Sequence, residues 1–217
     1  MIHGWVSGPW FLKDFKRAYF SKPQRVNLIG IGWPVGSFDN YHNSVAHTKI
    51  VGDAIASFIA SAIENGLLKM EKIQIIGHSL GAHVAGFTGK YLQDHGLKLP
   101  WITALDPAGP CFNNRTCSER ICNTDAEWVE NIHTNGGGFG MFEFIGHSDF
   151  YINGGKRQFP CLDWICSHLK AINFYVRIIN MEERIAGYPC ARMEELKAKE
   201  HCKNNTVRYY FGTNPQP

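Results

Sequence analysis

No stretch of this 217-residue chain stays apolar for the roughly 18 to 20 positions that span a bilayer as a helix. The longest candidates, such as Ile73–Gly89, are broken by His, Ser and Gly, which excludes a membrane-spanning helix. Charge of one sign is equally scarce. Lys and Arg total 22 against 19 Asp and Glu, and a net +3 spread along the chain gives neither a nucleic-acid surface nor a polybasic membrane anchor. Internal repeats, low-complexity tracts and linker-like runs are absent, so the chain is expected to be one unit, residues 1–217. C-x-x-C pairs of a zinc or redox centre are missing too, and neither a metal nor an organic cofactor is expected. The opening Met1-Ile2-His3-Gly4-Trp5 lacks the basic segment, apolar stretch and cleavage site of a secretory leader.

What is present argues for an oxidising compartment. Seven cysteines all fall in the second half, and short loops between Cys117 and Cys122, Cys161 and Cys166, and Cys190 and Cys202 suggest three local disulfides with Cys111 left over. The sequons Asn114-Arg115-Thr116 and Asn204-Asn205-Thr206 agree with secretion, which implies a leader not contained in this chain. With 44% hydrophobic residues the chain can bury a sizeable core, and its elements alternate. Val26–Trp33 has the compact apolar character of a buried strand. A helix follows over Ser44–Asn65, where Val51, Ile55, Phe58, Ile59, Ala62 and Ile63 share one stripe. Then come a strand at Lys72–Gly77, a helix at about Leu80–Gln93 with small residues Ala82, Ala85, Gly86 and Gly89 for close packing on a sheet, and strands at Trp101–Leu105 and Trp128–His133. A loop-rich stretch, Gly136–Ser167, precedes a last helix at about His168–Asn180. The alternation predicts an α/β fold with a mostly parallel central sheet flanked by helices.

Within that frame Gly77-His78-Ser79-Leu80-Gly81 fits G-x-S-x-G between a strand and a helix. The turn is so sharp that side chains two positions either side of the serine would clash, while the serine oxygen stands exposed at the strand end. A serine hydroxyl is a weak nucleophile, so it needs a histidine base, and the histidine needs a carboxylate to hold its tautomer. Asp106 ends the apolar run Trp101–Leu105 and precedes Pro107, which puts a carboxylate at the sheet rim. Ten histidines compete for the base; on the residues alone His168 and His147 both stay open, since His78 and His83 lie too close to Ser79 and His3 and His133 fall in or beside strands. Oxyanion donors are expected from the backbone N–H of Leu80, at the positive end of its helix, and of Trp5 in the His3-Gly4-Trp5 turn.

These segments together resemble the pancreatic-lipase superfamily, and within it the insect-type neutral lipases and phospholipases A1. The resemblance is carried by HGW at 3–5, VNLIGIGW at 26–33, GHSLGAHVAG at 77–86, TALDPAGPCF at 103–112, IHTNGG at 132–137, GHSDFYINGG at 146–155 and CSHLKA at 166–171. It implies an α/β-hydrolase fold with Ser79 as nucleophile, Asp106 as acid, His168 as base and Trp5 and Leu80 as oxyanion residues. It also implies the pairs Cys117–Cys122, Cys161–Cys166 and Cys190–Cys202, with Cys111 free.

Departures from the family pattern are informative. Strands that precede the His-Gly turn in the family are missing, so an N-terminally truncated lipase-type domain is expected, without the C-terminal lipid-binding β-sandwich and without a colipase-docking module. Substrate class follows from two loops. Cys161 and Cys166 enclose only Leu162-Asp163-Trp164-Ile165, and the Gly136–Gly146 segment is short, which resembles the phospholipase A1 branch rather than the long-lidded triacylglycerol enzymes. Leu162, Trp164 and Ile165 are then the expected interfacial patch. The expectation is a secreted enzyme cleaving the sn-1 acyl ester of phospholipid, or of another acylglycerol, at a lipid–water interface with peripheral membrane contact. The alternatives are a neutral triacylglycerol lipase or galactolipase and, from another class, an inactive lipase-fold lipid- or yolk-type binding protein.

Overall fold

Four short apolar segments in register make the centre of the molecule. A computed structural model of the chain describes residues 1–23, 25–180, 186–190, 193–194 and 209–211. Strands β1 (Gln74–His78), β2 (Trp101–Leu105), β3 (Trp128–His133) and β4 (Ser148–Tyr151) form a parallel sheet in the order β1-β2-β3-β4. The first three are buried along nearly their whole length, as parallel strands between two helical layers must be. Side chains alternate between the layers. One face buries Ile75, Ile102, Ala104 and Val129 with residues of α3 (Tyr41–Glu64) and α4 (Leu80–Asp94); the other buries Ile76, Leu105 and Ile132 with Phe15 of α1 (Leu12–Phe20) and Tyr175 of α5 (Trp164–Asn180). A one-turn helix α2 (Pro34–Ser37) and an antiparallel pair, β5 (Ala186–Gly187) with β6 (Tyr209–Tyr210), lie outside this sheet and its two layers, with short 3-10 turns between elements. Among the described residues no helix is long and apolar enough to cross a membrane.

Several expectations need correction. Val26–Trp33 is not a strand: only Ile31 bridges, to Ile2, and the segment is mostly exposed. The backbone beside Ile31 is Met1–Ile2, which lies between Ile31 and β1 with Ile31 N–H on Met1 O at 2.8 Å and Ile2 N–H on Ile76 O at 2.8 Å. The stretch 136–167 holds a strand after all, β4, which has no apolar run because its four residues are only partly buried. Gly86 and Gly89 of α4 do not face the sheet. A Cβ at Gly89 would stand 2.0 Å from Asp125 O, so these glycines admit the 121–125 loop instead. Helix α3 starts at Tyr41, earlier than Ser44, because the Asn40 side chain accepts from Asn43 N–H and caps it.

Disulfides join Cys117 to Cys122 and Cys161 to Cys166, and Cys111 is a free thiol. Cys202 lies outside the described residues, and with it the Cys190–Cys202 pairing. The second sequon, at Asn204, lies outside them too, whereas Asn114 is exposed on a left-handed turn at φ 64°.

Candidate active site

Parallel register sets the site. His78 of β1 lies beside Leu105 of β2, and Leu105 beside Ile132 of β3, so Ser79, Asp106 and His133 fall at one level along the sheet. The backbone continues that ladder, with Ser79 N–H on Leu105 O at 3.0 Å and Asp106 N–H on Ile132 O at 2.7 Å. Both Ser79 (φ 58°) and Asp106 (φ 45°) hold left-handed backbone conformations that L-residues avoid. Each such position costs about 1–3 kcal/mol, and strain of this kind gathers at functional sites. The glycines around the serine are required by contact. A Cβ at Gly77 would meet Gly81 O at 2.2 Å, and one at Gly81 would meet Ile2 O at 2.4 Å.

Asp106 is fully buried and its carboxylate is shared between two structures. Oδ1 accepts from Thr134 N–H at 2.8 Å and Asn135 N–H at 3.0 Å, while Oδ2 faces His168 Nδ1 at 2.5 Å. Neither cradle residue was picked out in the sequence. The usable signal was their place directly after the strand adjacent to the one that Asp106 follows. His168 sits in α5 rather than at its start, because Asp163 caps the helix from below: its Oδ1 accepts Cys166 N–H at 2.7 Å. His147, the competing base, is at the other end of the sheet. Its Nδ1 accepts from Val129 N–H at 3.0 Å near the beginning of β3, and its ring stacks on Trp128. His133 donates across 2.8 Å from Nε2 to Asp149, and is a structural residue.

The remaining expected residues surround the serine. Leu80 is the first residue of α4, so its N–H is among those a helix leaves without an internal acceptor. The Gly4 turn sits against Ser79: a Cβ there would be 2.7 Å from Ser79 Cβ and 3.2 Å from Oγ. His3 holds that turn. Its Nε2 accepts from Trp33 N–H at 3.2 Å, which leaves Nδ1–H to donate to Gly4 O at 2.9 Å, and burial lowers its pKa. The Trp5 side chain is drawn aside by Nε1–H on Asp39 O at 2.9 Å and an edge contact with Tyr41, and its backbone N–H finds no acceptor among the described residues. Ser79 Oγ likewise makes no hydrogen bond among them.

On the rim, the Cys161–Cys166 loop is short and tied down, with Arg157 Nε on Cys161 O at 3.1 Å and Nη2 on Leu162 O at 2.7 Å. Leu162 is 88% exposed; Trp164 and Ile165, expected in the loop, are instead the first two residues of α5 and are exposed there. Trp164 makes an edge contact with Phe139, whose ring meets His168 at a centroid distance of 5.9 Å. Among the described residues no group of three or more His, Cys, Asp or Glu could hold a metal ion.

A serine on a strained strand-to-helix turn, an acid after the next strand and a histidine on a later helix, all on a parallel sheet between helical layers, are the arrangement of an α/β-hydrolase fold. A family model described as Lipase matches residues 1–214, and the chain belongs to that family. It is 39% identical over 176 residues to "Phospholipase A1 VesT1.02" of Vespa tropica, an alignment covering 75% of this chain and 58% of that protein. It is 38% identical over 204 residues to "Phospholipase A1 2" of Dolichovespula maculata, covering 87% and 67%. It is also 38% identical over 205 residues to "Probable phospholipase A1 magnifin" of Vespa magnifica, covering 87% and 60%. The chain thus spans roughly three fifths of the length of these relatives.

Proposed function

We propose that this protein is a serine hydrolase that cleaves carboxylic esters of lipids, with phospholipid attacked at the sn-1 acyl ester. The observation that carries the reading is the His168–Asp106 pair, 2.5 Å apart and held at the level of a serine whose backbone is strained outward. In this mechanism His168 Nε2 takes the proton of Ser79 Oγ as the oxygen attacks the acyl carbonyl. Asp106 keeps Nδ1 protonated and stabilises the imidazolium that forms. The carbonyl oxygen, now an oxyanion, accepts from the N–H groups of Leu80 and Trp5, each worth about 10²–10³ in rate in such sites. His168 returns its proton to the departing glycerol oxygen, and water then repeats the sequence on the acyl-enzyme to release the fatty acid. Serine–histidine contacts are often open without substrate and tighten when it binds.

Phospholipid is favoured over triacylglycerol by the small, clamped Cys161–Cys166 loop, which leaves the rim open to a polar headgroup, and by the names of the related wasp proteins. Exposed Leu162, Trp164 and Ile165 would meet the lipid surface. Two disulfides support an extracellular setting.

The test uses the full-length protein and a phosphatidylcholine whose two acyl chains differ. Release of the sn-1 chain, loss of that activity and of organophosphorus labelling in Ser79→Ala, and weak turnover of long-chain triacylglycerol are the expected results. Persistent labelling in Ser79→Ala would place the nucleophile elsewhere. Triacylglycerol turnover equal to that on phospholipid would leave a general lipase.

A further inference from the structure

His78 takes no part in the chemistry above, yet its side chain joins the element that carries the serine to the one that carries the histidine. Its own backbone is fixed at the end of β1, with N–H on Ile2 O at 3.0 Å and Leu105 beside it in β2. The ring is buried, Nε2 lies 3.2 Å from the backbone carbonyl oxygen of His168, and the two imidazole centroids are 4.6 Å apart. A carbonyl can only accept, so the proton belongs on Nε2 and His78 donates. A helical carbonyl has a second lone pair beyond the one its helix uses, so the bond is compatible with α5.

The charge state fits the same arrangement. Burial pushes the His78 pKa well below the ordinary histidine value, the nearby His168 adds to the depression, the bond to its carbonyl opposes it, and His3 adds to it last. A neutral ring at this distance presents no charge to the imidazolium that His168 becomes, whereas a cation there would oppose it. The His168 ring is otherwise tethered at one atom, by Nδ1 to Asp106, with Phe139 against its edge. One tether lets a ring pivot; fixing the backbone as well determines where Nε2 points.

We propose that His78 is a positioning residue for His168, donating from Nε2 to its backbone carbonyl so that the base is held at a set distance from the serine one residue along the same chain. A misplacement of about 1 Å costs as much as 10² in rate, which is the scale of effect available to such a residue. The proposal rests on Ser79, Asp106 and His168 acting as above. It explains the histidine in Gly77-His78-Ser79 by what the side chain touches, where the steric argument for the turn accounts only for the glycines.

Two substitutions separate positioning from space filling. His78→Gln keeps an N–H donor near the place of Nε2, and His78→Leu fills similar volume without one. On a soluble short-chain ester His78→Leu should lower kcat about tenfold with KM within about twofold, and slow organophosphorus labelling of Ser79 by the same factor. His78→Gln should recover to within about threefold of the wild type. Unchanged kcat in His78→Leu, or no recovery in His78→Gln, would overturn the proposal, since a packing role favours the apolar replacement. If neither variant folds, nitrogen-15 NMR of the wild-type histidines decides: a neutral Nε2–H tautomer at His78 is expected, and Nδ1–H would refute it. Ser79→Ala measured alongside keeps the two readings apart. Hydrolysis surviving in Ser79→Ala undermines the serine mechanism, while an inert Ser79→Ala beside an unimpaired His78→Leu removes only the role of His78.

Discussion

Replacing Asp106 by Asn tests the site with almost no change in shape, and the structure dictates which way the new amide must turn. Oδ1 of Asp106 accepts two backbone N–H groups, from Thr134 and Asn135, both from within the protein interior. An amide placed with its NH2 toward them would face two donors with a donor and leave both unsatisfied, at about 1–3 kcal/mol each. The amide oxygen therefore stays on that side and the NH2 points at His168 Nδ1, now 2.5 Å from Oδ2. Nδ1 must then accept, which moves the imidazole proton to Nε2, the atom that receives the serine proton in the proposed mechanism. The base is blocked by its own tautomer, although every heavy atom stays in place. A fall in kcat of about 10³–10⁴ at neutral pH follows, the scale seen when an acid in such a triad is converted to its amide. Thermal denaturation should change little. The assay is hydrolysis of a soluble short-chain ester, which avoids any contribution from lipid binding. Retention of more than a tenth of the wild-type kcat would mean that His168 is not oriented by this carboxylate and that the serine answers to a different base.

Three further results are expected. His83 is buried, donates from Nε2 to Ala108 O at 2.8 Å and accepts at Nδ1 from Ile121 N–H at 3.3 Å, and burial lowers its pKa to about 3. Because the unfolded chain binds that proton near pH 6.5 and the folded one does not, stability present at pH 7 is lost as pH falls from about 6.5 toward 3. By pH 4 the loss is about 3 kcal/mol, so His83→Gln should show a drop in unfolding free energy between pH 7 and 4 that is smaller by that amount, and an equal drop would refute it. Alkylation without reductant should modify Cys111 and spare Cys161 and Cys166; a modified Cys161 would remove the loop closure on which the open rim depends. Trp164→Ala should weaken binding to phospholipid vesicles and leave turnover of a soluble ester intact, whereas equal loss on both would assign Trp164 to packing on Phe139.

Where a residue's role depends on local chemistry, the sequence was legible. Strands β2 and β3 begin and end at the expected residues, and α4 extends one residue beyond its expected end. Ser79 and Asp106 could be found because both are strand-end residues with sharp local constraints, a glycine pair in one case and a following proline in the other. Choices that depend on which end of the sheet a residue occupies were not legible from the residues taken singly. His147 and His168 are equivalent as isolated residues; the family resemblance points to His168, and the structure puts it beside Asp106 and His147 beside Val129. Val26–Trp33 failed for a related reason: apolar composition shows that a segment suits a sheet, but backbone pairing decides whether it joins one, and here only Ile31 bridges, to Ile2. The Thr134 and Asn135 amides were invisible because backbone donors leave no mark in residue identity.

The left-handed backbones at Ser79 and Asp106 have a consequence for how this chain can change. Glycine would occupy either position without the conformational cost that serine and aspartate meet there. A Ser79→Gly change should therefore silence hydrolysis while relieving strain, making the inert protein the more heat-resistant one. Folding on its own pulls position 79 toward glycine, and only chemistry pulls the other way, whereas the Asp106 carboxylate also pairs the Thr134 and Asn135 N–H groups and so has a structural reason to stay. The serine side chain is thus one that a lineage keeping the fold merely to bind lipid would have a thermodynamic reason to discard.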